Sequence, residues 1–162
     1  MNIDKTKILE YVIRETESEI DKLKAELAHA KHAKLEAPGR MQSRYDTMGI
    51  EAGWMADSLA KALGEKSAAL IALQKFSLPT TPPRVAPGAI VGLGPRGGAV
   101  EDYYFILPAA GGASYKVQDS QLEVAVITPQ APIARSILGK TVGAEVPGPG
   151  LRPSSRTILF LQ

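Results

Sequence analysis

Proline and glycine are placed so unevenly that they divide the chain in two. Of twelve prolines only Pro38 lies before residue 77, and of fifteen glycines only Gly39, Gly49, Gly53 and Gly64 do. Proline removes a backbone donor and glycine weakens a helix interior, so the first 76 residues can sustain long helices and the remainder cannot. The first stretch is dense in Ala, Glu, Lys and Leu, the second in Pro, Gly and Val, which is the pattern of a helical segment followed by a β-rich one. The expected division is a helical domain over residues 1–76, a linker over 77–87 containing Ser77-Leu78-Pro79-Thr80-Thr81-Pro82-Pro83, and a β domain over 88–162.

Within the helical part, Ile13, Ile20 and Leu27 recur every seven residues, with Thr16, Leu23 and Ala30 offset by three. This is the a/d spacing of a coiled-coil seam. It predicts a helix that opens at Asp4, a good N-cap residue, and ends at Leu35 or Glu36 before Pro38-Gly39. A second periodic run, Ala52, Ala56, Leu59, Leu63, Lys66, Leu70 and Leu73, predicts a partner helix ending before Phe76. Two such helices, each about 45 Å long at 1.5 Å per residue, form an antiparallel hairpin with its tip near residues 37–42. Heptads also suit an intermolecular coiled coil, but Pro38-Gly39 between two similar helices favours the intrachain hairpin and a monomer. The hairpin carries twelve basic and twelve acidic residues, so it reads as a neutral, solvated rod and not as a basic nucleic-acid arm.

The second part contains short apolar runs bounded by turn residues: Ala89 to Val91, Tyr103 to Leu107, Glu123 to Ile127 and Thr157 to Leu161. These are strand candidates. Pro132 to Leu138 reads as one short helix, with proline at a first-turn position and Gly139 as its C-terminal stop. The expected class is therefore α+β: a helical hairpin, then a small antiparallel β domain with one short helix.

Composition narrows function mainly by exclusion. The 162 residues include no cysteine, which removes disulfides, thiolate nucleophiles and Cys-based zinc sites, and which suits a reducing cytoplasm. No run approaches the ~20 apolar residues of a membrane span. A net charge of +2 is too small to argue for nucleic-acid or membrane binding by electrostatics alone. Gly92-Leu93-Gly94-Pro95-Arg96-Gly97 matches G-x-G-x-x-G in form, but a strand and not a helix follows, and Pro95 lacks a backbone donor where a phosphate would need one. It reads as a hairpin loop, and Gly111-Gly112 as another turn. His29 and His32 share a helix face without a third ligand, which predicts a solvated pair. No Ser-His-Asp set or paired catalytic carboxylates stand out, so neither catalytic residues, nor a metal, nor another cofactor is assigned.

Pro132-Ile133-Ala134-Arg135-Ser136-Ile137-Leu138-Gly139-Lys140-Thr141-Val142-Gly143-Ala144-Glu145-Val146 resembles the S-P-I-A-R-x-L-I-G-K-x-x-G-D-x-V signature of the GreA/GreB transcription elongation factors. Tyr45 with Gly53-Trp54 resembles that family's A-E-Y-x-A-A-x-x-x-Q-G-F segment, and Gly88-Ala89-Ile90-Val91 its G-A-x-V strand. The resemblance spans nearly the whole chain. It implies an FKBP-like β domain that docks on the rim of the secondary channel of bacterial RNA polymerase, and a hairpin that enters the channel. The docking residues it implies are Gln130, Ala131, Pro132 and Arg135, with Ala131 standing where the family has serine. The partner it implies is RNA polymerase, with nucleic acid met only through the transcription complex and no membrane involved.

In the family, two acidic residues at the hairpin tip help hold the second catalytic Mg²⁺ for transcript cleavage. The matching positions here are Pro38 and Met41, neither of which offers the hard oxygen ligands Mg²⁺ requires. Arg40 and Arg44 add positive charge, and Tyr45 and Asp46 complete the tip. The expectation is a factor that occupies the channel and modulates transcription without stimulating cleavage. The alternative is a cleavage-stimulating factor that uses Glu36 or Asp46. Two rivals come from other classes: a prolyl isomerase whose pocket would be built from Tyr103, Tyr104, Phe105, Tyr115 and Phe160, and a scaffolding coiled coil with no affinity for polymerase. Trp54, Tyr45, Met41 and Met48 suit either partner contact or packing within the hairpin.

Overall fold

A computed structural model describes residues 2–36, 46–117, 121–147 and 155–162. In chain order these form α1 (Lys5–Glu36), α2 (Asp46–Gln74), β1 (Ile90–Gly94), β2 (Asp102–Ile106), β3 (Ser114–Lys116), β4 (Glu123–Ile127), α3 (Pro132–Ile137), β5 (Glu145–Pro147) and β6 (Ser155–Leu161). The architecture is the expected α+β arrangement of two long helices followed by a small sheet and a short helix.

Arg14–Ile71 form one compact unit. Its seam is the one the heptads anticipate: Thr16, Ile20, Ala30 and Ala56 are buried, and Leu23, Leu27, Leu59, Leu63 and Leu70 are half-buried. The helices are antiparallel, because Glu19 pairs with Lys66 at 2.5 Å while the Lys34 stem lies beside Gly53 at the other end. Thr16 on the seam is only 3% exposed, a position where a hydroxyl is tolerated because it can bond within its own helix.

Met1–Ile13 and Ala72–Gln162 form the other unit. A division of the chain at residues 76 and 88 is therefore displaced: the first turns of α1 and the end of α2 belong with the sheet. The reason is apolar burial, since Ile3, Ile8, Leu9, Val12 and Leu73 share one core with Ile90, Phe105, Leu107, Val124 and Val126. The 77–87 segment is not a free linker either. Val85 is buried, its N–H donates to the Lys140 carbonyl at 2.8 Å, and its own carbonyl accepts from Gly139 at 2.8 Å. Asp4 caps α1 as expected, its carboxylate accepting from the N–H groups of Thr6 and Lys7 at 3.1 and 3.2 Å.

The sheet has the order β3-β4-β2-β1-β6-β5. Four pairings are antiparallel, but β2 and β4 run parallel, with Tyr103 opposite Val124 and Ile106 opposite Ile127. The expected all-antiparallel sheet is corrected at this pair. The cause is β3, which pairs antiparallel with β4 on its outer side, so that the chain leaving β2 must turn back once more before β4 begins. Strand alternation then sorts the aromatics: Tyr103 and Phe105 face the core shared with α1 and α2, while Tyr104 and Ile106 face the core shared with α3. The G-x-G-x-x-G segment is the β1–β2 hairpin, its turn closed by Gly98 N–H donating to the Pro95 carbonyl at 2.9 Å.

Candidate functional site

The signature segment builds a compact piece of surface on the β unit. Ala134 and Ile137 are fully buried and Ile133 and Leu138 half-buried, and the last three pack with Val85, Val91, Ile106, Val146 and Ile158. The helix therefore stands on its apolar side, and 3.6-residue periodicity turns Pro132 and Arg135 outward. Gln130, Pro132 and Arg135 are exposed and Ala131 is half-buried. The four residues assigned to docking thus lie together at the start of α3. The apolar residues of the motif hold the helix, and Gln130, Pro132 and Arg135 are left at the surface.

Local chemistry explains where this helix begins and ends. Pro132 occupies the first turn, where its missing N–H costs nothing. Gly139 follows with φ of +76°, a left-handed conformation that stops the helix and suits glycine. Ala131 is the N-cap and offers no side-chain bond to the first N–H groups. Ala131→Ser, which supplies a capping hydroxyl, is expected to raise stability by about 0.5–1 kcal/mol, measurable as a shift in the urea midpoint at constant m-value. No gain in midpoint would mean that the backbone at Ala131 cannot present a cap.

The opposite end of the β2/β4 pair carries a groove of about 500 Å³ lined by Glu101, Asp102, Tyr103, Tyr104, Leu122 and Glu123, among others. Arg156 on β6 pairs with two of these residues, donating to Asp102 and, at 3.1 Å, to Glu101. The hydrogen bond with Asp102 raises the Arg156 pKa above its already high value. Burial, reinforced by the Asp102 charge, raises the Tyr104 pKa above 10.0. A raised folded-state pKa gives stability that is complete below pH 10 and lost as pH climbs through the higher folded value. Absorbance titration is expected to show one late-ionising phenol that is missing in Tyr104→Phe; an unchanged titration curve would place Tyr104 in solvent.

The aromatic pocket an isomerase would need is not assembled. Phe105 is fully buried, Tyr103 stacks edge-on with Phe160 at 5.8 Å, and Tyr115 stacks with Tyr11 at 5.2 Å. Among the described residues no three His, Asp or Glu side chains converge on a point where a metal could sit.

In the helical unit, the seam leaves Trp54 71% exposed, with Met48, Ile50 and Met55 also exposed. Trp54 is a surface residue and not a packing residue, which sequence periodicity alone left open. Pro38, Arg40, Met41, Arg44 and Tyr45 lie outside the described residues, as do the side chains of Glu36 and Asp46, which end α1 and begin α2. The signal that sequence reasoning missed is Arg84 with Val85, which looks like part of a proline-rich linker and packs beside α3 instead.

No protein-family model matches the chain, and no curated protein matches it. Solved structures that are similar include two of Gfh1. One is GreA factor homolog 1 (Gfh1) of Thermus thermophilus, with 14% identity over 93% of this chain and 94% of that one and a TM-score of 0.35. The other is a structure of the transcription factor Gfh1, with 16% identity over 93% and 92% of the two chains and a TM-score of 0.36. At such identities and scores neither assigns an activity to this chain.

Proposed function

We propose that this chain is a Gre-type transcription factor that binds bacterial RNA polymerase at the secondary channel and modulates transcription without stimulating transcript cleavage. The observation that carries the reading is the placement of the Pro132–Val146 signature. Its apolar residues anchor α3 on the sheet while Gln130, Pro132 and Arg135 stand exposed at the position the resemblance gives to polymerase docking. The antiparallel helical hairpin supports it as the element suited to enter a channel. Trp54 supplies an aromatic anchor on that hairpin. The absence of cleavage rests on sequence: Pro38 and Met41 stand where Mg²⁺-binding carboxylates belong, beside Arg40 and Arg44. In this reading the factor acts as a monomer in the cytoplasm and needs no cofactor of its own.

The test uses backtracked elongation complexes, with RNA length followed after addition of this protein and again after addition of a cleavage-active Gre factor. The expected result is no shortening at the first step and inhibited shortening at the second. Shortening by this protein alone would overturn the non-cleaving reading and point to Glu36 or Asp46, to be separated by Glu36→Ala and Asp46→Ala. No effect at either step would overturn polymerase binding.

A further inference from the structure

Met48 and Met55 are the two methionines among the described residues, and both lie on α2 with their side chains in solvent, 59% and 62% exposed. Met48, Ala52, Met55 and Leu59 follow one another at steps of four, three and four, which puts them on one stripe of the helix. Ala52 and Leu59 are half-buried, so the stripe borders the seam with α1, and the two thioethers are its outermost parts. The seam itself is held by other residues: Ala56 is buried, and Gly53 lies against the Lys34 stem of α1. The packing of the two helices therefore does not rest on either sulfur.

The chain has no cysteine, so no thiol competes for an oxidant, and the thioethers are its most readily oxidised sulfurs. With a peroxide, a sulfur lone pair attacks one peroxide oxygen, the O–O bond breaks and an S–O bond forms; after proton transfer the second oxygen leaves as water. Sulfur loses two electrons and the peroxide gains them. The product is a polar sulfoxide, which sulfoxide reductases return to the thioether. In a core such a change disrupts packing, but on this stripe it alters only the surface.

We infer that Met48 and Met55 form a reversible oxidation site, at which a peroxide turns the apolar stripe of α2 polar and weakens the hold of the hairpin on its partner. The inference rests on the polymerase reading for that partner and adds a means of regulating the contact. Methionine suits an adaptable apolar contact because its unbranched thioether fits irregular surfaces. Once each sulfur carries an oxygen, the same contact buries an acceptor that needs a hydrogen bond the partner was not built to supply.

The test treats the full chain with hydrogen peroxide, removes the excess with catalase, and then measures binding to core RNA polymerase. Peptide mass spectrometry locates the added oxygen, and circular dichroism reads helix content. The expected result is one oxygen on Met48 and one on Met55, unchanged helix content and about tenfold weaker binding, close to the loss of one buried methionine contact. Methionine sulfoxide reductases acting on both epimers are expected to restore the affinity. In Met48→Leu/Met55→Leu the affinities before and after peroxide are expected to agree with each other. Oxygen that fails to add at either position, affinity unchanged with both positions oxidised, or helix content lost on oxidation would each overturn the inference. So would an equal peroxide effect in the double leucine variant, which would place the sensitive group elsewhere. These outcomes leave the polymerase reading standing, whereas reduced protein that fails to bind polymerase would overturn both.

Discussion

Phe105→Ala is expected to destabilise the protein by about 3–5 kcal/mol, since it empties a site at which the surrounding structure can relax only in part. Phe105 is 0% exposed and lies on β2 opposite Ile90 of β1 and Val126 of β4, in the core that also holds Ile8, Val12 and Leu73. Its ring therefore ties both long helices to the middle of the sheet. Against a typical domain stability of about 5–15 kcal/mol, a loss of that size should leave a measurable unfolded fraction at growth temperature. Urea unfolding followed by far-ultraviolet circular dichroism reads the change, with Phe105→Leu expected to cost roughly 1–1.5 kcal/mol because most of the volume remains. A loss below about 1 kcal/mol for Phe105→Ala would mean that the two helices and the sheet do not share one core.

Lys5→Met should be the most damaging substitution at a charged residue. The Lys5 ammonium donates to the carbonyls of Pro79, Thr80 and Gly88 at 3.0, 3.2 and 3.3 Å, which uses all three of its protons. It holds the start of α1 to the chain that leads into β1. Gly88 leaves no slack there, since its φ is +88° and an added Cβ would stand 2.3 Å from Pro79. Burial lowers the Lys5 pKa, so part of the gain from these bonds is offset by desolvation. The net loss on removing the ammonium, with the aliphatic stem kept, is expected to be about 1.5–2 kcal/mol. Lys5→Arg should recover only part of it, because a planar fork cannot meet three carbonyls converging on one atom. Lys7→Met is the comparison: its pairing with Asp4 is long, at 3.9 Å, and exposed, so the change should fall within about 0.5 kcal/mol. Equal costs at Lys5 and Lys7 in urea titrations would show that the three-carbonyl site contributes nothing specific.

The division of the signature segment into buried and exposed residues was legible because it combines a core pattern with a surface pattern inside seven residues. Ile133, Ala134, Ile137 and Leu138 fall on the buried side at helical spacing, and Pro132 and Arg135 fall on the other. The place of Arg84 beside the end of α3 was not legible. The residue precedes Val85 in a stretch whose prolines signal a linker, and only the long-range bonds between Val85 and the Gly139-Lys140 turn bring it there. The two missed strands have a similar explanation. β3 and β5 are three residues each, too short to show an alternating pattern, and they exist because a longer neighbour offers unpaired backbone groups.

Features set by interactions within a few residues could be read from the amino-acid order: the cap at Asp4, the end of α1 near Glu36, the seam through Thr16, Ile20, Ala30 and Ala56, and the stop at Gly139. Each follows from backbone donors, helix periodicity or a glycine conformation, all of which act locally. The parallel β2/β4 pairing, the inclusion of the ends of α1 and α2 in the sheet's core, the exposure of Trp54 and the approach of Arg84 to Gly139 depended on the folded chain. These are consequences of which distant surfaces meet, and burial of apolar area rewards that meeting without leaving a periodic trace in the sequence.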